Sequence, residues 1–125
     1  MLNSLKSMAG LAGLLKDLPR IKARMAELKQ HLAGQTVTAE AGGGAVRVTA
    51  TGLLHVTSID LDPAMMSGLT GTAAPDQQVM AEDLIVEAVN NALQAARSVA
   101  EAEAAAVAAE LGLPLPPGGL GGLIS

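Results

Sequence analysis

The chain has 125 residues and a formal net charge of −4, and it contains no Cys, Phe, Tyr or Trp. This length allows one domain, and the lack of Cys excludes disulfides, thiolate metal sites and a cysteine nucleophile, which fits a reducing cytoplasm. A core built without aromatic residues buries less area per residue, which favours oligomerisation. It also excludes the aromatic stacking platforms that single-strand nucleic-acid binders use.

Charge is distributed unevenly along the chain. Residues 1–34 carry six basic and two acidic residues, for a net charge of +4, and the remainder carries two basic and ten acidic residues, for −8. A basic arm on an acidic body indicates an anionic partner for the arm. The alternative is a solvated helix face that pairs with the acidic remainder of the same protein.

The basic arm has the apolar spacing of a helix. Its apolar residues are separated by alternating steps of three and four, which is a heptad pattern that faces a partner helix or the sheet and assigns Met25 to the core: Leu11, Leu14, Leu18, Ile21, Met25, Leu28 and Leu32. With Asp17 as N-cap and Pro19 in the first turn, a helix is predicted at about residues 18–33. The alternative is one long helix kinked at Pro19.

The middle of the chain alternates as a sheet does. Strands are predicted at about residues 36–41, 45–51 and 55–61, and the connections are short enough only for an antiparallel meander. We expect positive φ angles at the glycines of residues 42–44 and at Gly52. Val56 is out of phase with the apolar residues that follow it, and a β-bulge would reconcile them.

A second long helix is predicted after a loop at residues 64–75. Asp76 is the expected N-cap, and the helix extends over about residues 77–111. Residues 112–125 are rich in Pro and Gly and are predicted to form a flexible tail. The predicted fold class is therefore α+β, with helix, three-stranded antiparallel meander and helix in a single domain at residues 1–111.

No catalytic or metal-binding pattern emerges from the chain. His31 and His55 lack the partner spacing of a metal site, and Asp60 and Asp62 precede a proline, where such a pair more often ends a strand at the surface than binds a cation. No segment reaches the ~18 apolar residues of a membrane span. We therefore expect a protein that is not an enzyme, with no cofactor, no metal and no membrane partner.

The ordered set of motifs resembles a known family. It comprises a basic helix, the glycines of residues 42–44, Val46-x-Val48 with Gly52, Ile59-Asp-Leu-Asp-Pro63, and Glu82-Asp-Leu with Ala88, Asn90, Asn91 and Ala92. In this order the motifs are similar to those of the YbaB/EbfC family of bacterial nucleoid-associated proteins. The resemblance covers most of the chain and is loosest at residues 64–75.

The resemblance implies a tweezer-like homodimer joined through its sheets, with projecting helices that bind double-stranded DNA with little sequence specificity. It implies a location in the cytoplasm at the nucleoid and a role in nucleoid organisation or gene regulation. The positions here that match the DNA-contacting role are Lys16, Arg20, Lys22, Arg24, Lys29 and Arg97. The alternative is a dimeric protein-interaction scaffold with weak or no DNA binding, since the second helix is rich in Ala and has one basic residue.

Overall fold

Helices and strands follow one another in the computed structural model, which describes residues 2–70 and 74–112. The elements are α1 (Leu2–Gly34), β1 (Thr36–Ala41), β2 (Val46–Thr51), β3 (Val56–Leu61), α2 (Pro63–Leu69) and α3 (Pro75–Glu110). The strands form one antiparallel sheet in the order β1-β2-β3. This confirms the predicted α+β fold of helix, meander and helix. Within the described residues, no helix combines the length and hydropathy that a membrane span requires.

The first helix is longer than its predicted span of residues 18–33. It begins at Leu2, and Pro19 lies inside it, so the alternative of one long helix is the observed one. Pro19 lacks the N–H that would bond to the Leu15 carbonyl, so α1 loses one backbone hydrogen bond there. The apolar steps of three and four continue across Pro19 and favour a single helix on both sides of it.

The predicted loop at residues 64–75 contains the short helix α2. Asp62 caps this helix, because its Oδ1 accepts a hydrogen bond from the Met65 amide at 2.8 Å, and Pro63 follows at the first helical position. The N-cap of α3 is Ala74 rather than the predicted Asp76. Pro75 takes the first helical position, where its fixed φ angle suits a helix and its missing N–H costs nothing.

The sheet has the predicted glycine turn and the predicted bulge. Residues 42–44 have φ angles of 66°, 67° and 95°. Thr49 pairs with Ser58, but Ala50 pairs with Val56, so Thr57 is an extra residue on β3. This extra residue brings Val56 onto the same face as Ile59.

Gly52 serves a different purpose from the one predicted, because its φ angle is not positive. It allows α1 to approach the sheet: a Cβ at this position would lie 2.9 Å from both Leu32 Cδ2 and the Leu32 carbonyl oxygen. The Gly52 amide donates to the carbonyl oxygens of Leu32 at 3.0 Å and Gln35 at 2.9 Å. A glycine is therefore required here by close packing.

Two apolar clusters hold the helices in place. In the larger one, Val46, Val48 and Ala50 of β2 lie under the small side chains of Ala81, Ala88, Ala92 and Ala96 of α3. In the smaller one, Leu28 and Leu32 of α1 pack against Ala100 and Val107 of α3. The buried residues of α3 therefore recur mainly at intervals of four and seven along the helix. Because most of them are alanines, the helix can lie close to the sheet.

Residues 113–125 lie outside the described residues, so a flexible tail there stays a prediction. The last described residue is Gly112, which follows α3 and has the left-handed φ angle of 70°. The Gly112 amide donates to the Ala109 carbonyl at 3.2 Å. This is the usual role of a glycine after a helix C-terminus.

Candidate nucleic-acid interface

The register between α1 and α3 decides where the predicted DNA-binding residues lie. Arg24 Nε donates to Glu110 Oε2 at 2.8 Å, and His31 Nε2 lies 3.6 Å from Glu103 Oε2. Seven residues along α1 therefore match seven residues back along α3, so the two helices are antiparallel. Because α3 ends at Glu110, the part of α1 before Arg24 extends beyond the end of α3 by about 33 Å of helix.

Four of the five basic residues predicted on α1 are exposed and unpaired. Among the residues that the structure describes, none of the four has an acidic partner within 4 Å; they are Lys16, Arg20, Lys22 and Lys29. Lys16, Arg20 and Lys22 lie on the part of α1 beyond the end of α3. Lys16 and Arg20 lie on one face of α1, and Lys22 and Lys29 lie on nearly the opposite face. Together the four cations extend over about 20 Å of helix, or roughly six base pairs of B-DNA.

Arg24 is the exception on this helix. Its guanidinium bonds to Glu110, as above, and its Nη1 lies 3.2 Å from Glu27 Oε2. The hydrogen bond with Glu110 and the nearby negative charges raise the pKa of Arg24, against a smaller opposing effect of desolvation. Arg24 stays charged in either case, but a phosphate would have to displace two carboxylates to reach it.

Arg97 lies apart from the α1 cations. It is exposed on α3, six residues before Glu103 and therefore about 9 Å along the helix axis from the level of His31. That position is beside the sheet, beyond the last residue of α1. Arg97 therefore lies at a different level of the molecule from the α1 cations, which occupy two faces of their own helix.

The contact that sequence reasoning missed is the one between Arg24 and Glu110. Glu27 is three residues from Arg24, so this local pair was visible in the sequence. Glu110 is 86 residues away, and only the register of α1 on α3 brings it within 2.8 Å. The positive charge that α1 can offer is thus smaller than the count of its basic residues indicates.

Other candidate chemistry is already explained by local structure. The Asp62 carboxylate caps α2, and Asp60 lies opposite Arg47 in the β2–β3 pairing. His31 Nε2 lies 2.9 Å from the Gln35 side-chain amide nitrogen, which can only donate. His31 Nε2 is then an acceptor, so it makes no hydrogen bond with the Glu103 carboxylate in this arrangement. In the part of the chain that the structure describes, no three acidic or histidine side chains form a metal cluster.

A cavity of about 430 Å³ lies between α2 and α3, lined mainly by apolar side chains that include Met65, Met80 and Leu84. Its one acidic group is Asp62, which is occupied as the cap of α2. The Ser67 hydroxyl also lines the cavity, and it donates to the Pro63 carbonyl oxygen at 3.2 Å.

Comparison with known proteins agrees with the resemblance stated from the sequence. A profile of the YbaB/EbfC DNA-binding family matches residues 8–111. The chain is 33% identical over 105 residues to the nucleoid-associated protein Pfl01_1806 of Pseudomonas fluorescens (strain Pf0-1), which covers 84% of this chain and 90% of that protein. The fold is similar to that of the uncharacterized protein HP0035 from Helicobacter pylori, with a TM-score of 0.50 and 21% identity over 65% of this chain and 86% of that one. The motifs, the fold and the match over residues 8–111 together place this chain in the YbaB/EbfC DNA-binding family.

Proposed function

We propose that this protein is a nucleoid-associated protein that binds duplex DNA with little sequence specificity through the basic residues of α1. The supporting observation is the set of four unpaired cations between Lys16 and Lys29 on α1, whose first part extends beyond the end of α3. Its membership of a DNA-binding family and its similarity to a nucleoid-associated protein of Pseudomonas fluorescens support the same function. Under this proposal the protein is not an enzyme and lies in the cytoplasm at the nucleoid.

The mode of binding follows from the kind of residue that carries the charge. Lys and Arg contact phosphates without reading the sequence, and base reading in the major groove requires fixed pairs of donors and acceptors. The four unpaired cations of α1 are long, exposed side chains. We therefore expect affinity to come from counterion release, with a slope of log K against log salt of about −4 for four phosphate contacts.

A mobility-shift titration tests this proposal. Two unrelated duplexes are titrated with protein at several salt concentrations, and we expect equal affinity for both and a steep loss of binding with salt. Changing Lys22 and Lys29 together to Glu should abolish binding while the circular dichroism spectrum stays unchanged. A lack of any shift at the lowest salt concentration contradicts the proposal, as does a shift that is independent of salt.

Arg97 is part of the proposed surface as a separate contact. Because it lies about 9 Å along α3 from the level of His31, it would reach a different stretch of phosphates from the α1 cations. Arg97→Ala should therefore reduce the salt slope by about one and lower affinity equally for both duplexes. If Arg97→Ala leaves both the slope and the affinity unchanged, Arg97 does not belong to the surface.

We also propose that two copies form a homodimer through their sheets. α3 lies over β1 and β2, so the inner face of β3 is left uncovered: Val56 is 39% exposed and Ile59 is 45% exposed. β3 is also the edge of the sheet, with backbone groups free to pair. Sedimentation should show a dimer that Ile59→Lys converts to a monomer, and a wild-type monomer at micromolar concentration would contradict this proposal.

A protein-interaction scaffold is the second candidate. The ion pairs of Arg24 reduce the charge available to DNA, and exposed apolar side chains remain on α1 and α3. In this case a tagged protein would retain a stable partner through nuclease treatment. Loss of all partners after nuclease treatment would favour DNA binding instead.

A further inference from the structure

A basic row lies along the exposed side of α1. It consists of Leu18, Lys22, Met25 and Lys29, separated by steps of four, three and four, so all four lie on one face of the helix. Leu18 is 41% exposed and Met25 is 49% exposed, although the heptad spacing assigned Met25 to the core. α3 covers only the neighbouring positions of the heptad, Leu28 and Leu32.

The basic row borders a groove of suitable size for side chains. The groove has a volume of about 430 Å³ and lies between α1 and Leu53 of the β2–β3 turn. Met25 and Lys29 line it together with Leu28 and Leu32. It is thus an apolar slot with an ammonium group at its rim, and pockets of about 300–1,000 Å³ commonly hold ligand or partner groups.

A matching acidic row lies on the outer face of α3. It consists of Asp76, Val79, Asp83 and Val86, separated by steps of three, four and three. Val79 is 55% exposed and Val86 is 57% exposed. Neither Asp76 nor Asp83 has a basic partner within 4 Å among the described residues.

We propose that the basic row of α1 in one copy docks on the acidic row of α3 in a second copy. Both rows alternate an apolar and a charged residue with a period of seven, and their charges are opposite. Docked face to face, the valines would fill the groove beside Met25, and the lysines would meet the aspartates, as apolar seams and flanking charges do in paired helices. The contact is separate from the β3 edge and does not depend on DNA binding.

The two rows cannot meet within one chain. The basic row lies near the end of α3, since Arg24 is opposite Glu110, whereas the acidic row lies in the first turns of α3. Val86 and Glu110 are 24 residues apart, which is about 36 Å of helix. Each copy therefore carries both halves of the contact, and a second copy must supply the other half.

Cysteine cross-linking tests the contact directly, because the chain has no Cys of its own. Chains with Met25→Cys are mixed with chains that carry Val79→Cys or Val86→Cys, and the mixture is oxidised without DNA. We expect a mixed disulfide with at least one of the two valine variants, since the bond requires Cα atoms about 4.4–6.8 Å apart. Ala102→Cys, exposed on α3 but outside the row, is the control and should give little product. Equal cross-linking to Ala102→Cys, or none to either valine variant, overturns the proposal.

Charge reversal provides a second readout. Lys22→Glu with Lys29→Glu on the Met25→Cys chain should lower the cross-linking yield about tenfold, because two attractive pairs become repulsive. Asp76→Lys with Asp83→Lys on the partner chain should restore the yield. The matched control is Lys16→Glu with Arg20→Glu, which changes net charge equally but lies outside the basic row and should keep the wild-type yield. Failure of the reversed partner to restore the yield, or an equal loss with the control, overturns the proposal.

Discussion

At the residue scale, the packing of α1 on the sheet depends on Gly52 having no side chain beyond a hydrogen atom. Its missing side chain lets the last turns of α1 lie against the sheet, and its amide bonds to two carbonyl oxygens at the end of that helix. A methyl group would have to displace the backbone oxygen of Leu32, which cannot rotate away as a side-chain end can. The sequence indicates a special glycine here, but only the packing shows why it is special.

We therefore expect Gly52→Ala to destabilise the protein by about 1–3 kcal/mol, as overpacking of a close contact does. Gly34→Ala is the matched control, because a Cβ there meets nothing within 4 Å and the φ angle is not positive. It should be neutral or slightly stabilising. Urea unfolding of both variants measures the difference, and equal stabilities would show that α1 does not require this close approach.

A single contact, the ion pair of Glu110 with Arg24, reduces the positive charge that α1 presents to a ligand. Glu110→Gln removes the stronger partner of Arg24 and leaves its guanidinium paired only with Glu27. We expect DNA affinity to rise by about two- to tenfold at low salt, because one more cation can reach a phosphate. Glu87→Gln changes net charge equally at an exposed site with no ion pair among the described residues, and it sets the baseline. An equal gain in both variants would assign the effect to net charge alone.

At the element scale, α3 is defined by its alanines. Ala88, Ala92 and Ala96 are fully buried over the sheet, and they allow the helix axis to approach the strands closely. A larger side chain at Ala92 has no free volume to enter. Ala92→Leu should therefore cost about 1–3 kcal/mol of stability. Ala102→Leu, at an exposed position of the same helix, should change stability by less than about 0.5 kcal/mol. Thermal unfolding distinguishes the two, and similar melting temperatures would mean that the helix and sheet can separate without cost.

The elements also show how far the sequence predicts this fold. Alternation of apolar residues located the meander and even its bulge, because a sheet face is set by neighbouring residues. Helix ends were harder, since Pro19 and Asp76 each fit a local start signal that the continuing helix or Pro75 overrides. α2 was missed although Asp62 and Pro63 are an ordinary cap and first residue. The ion pair between Arg24 and Glu110 depends on the register of two distant helices, which no local pattern encodes.

At the scale of the whole molecule, the basic and acidic parts of the sequence lie in different regions of the structure. Six of the eight basic residues lie on α1, partly beyond the end of α3, and the acidic row lies near the opposite end of α3. Lys22 and Lys29 belong to both proposed surfaces, the one for DNA and the one for a second copy. The two partners would therefore compete for these two side chains, and self-association would reduce the number of α1 cations available to phosphates.

This competition can be tested without changing charge. Val79→Ser with Val86→Ser removes the apolar part of the acidic row and keeps net charge at −4. If docking competes with DNA, this variant should bind a labelled duplex more tightly than the wild type at protein concentrations where copies associate, and equally at concentrations where they do not. The gain should appear although no basic residue has changed, because loss of apolar burial weakens only the contact between copies. Fluorescence anisotropy over a wide range of protein concentration measures both regimes. Identical binding curves would show that the DNA surface of α1 stays free when copies associate.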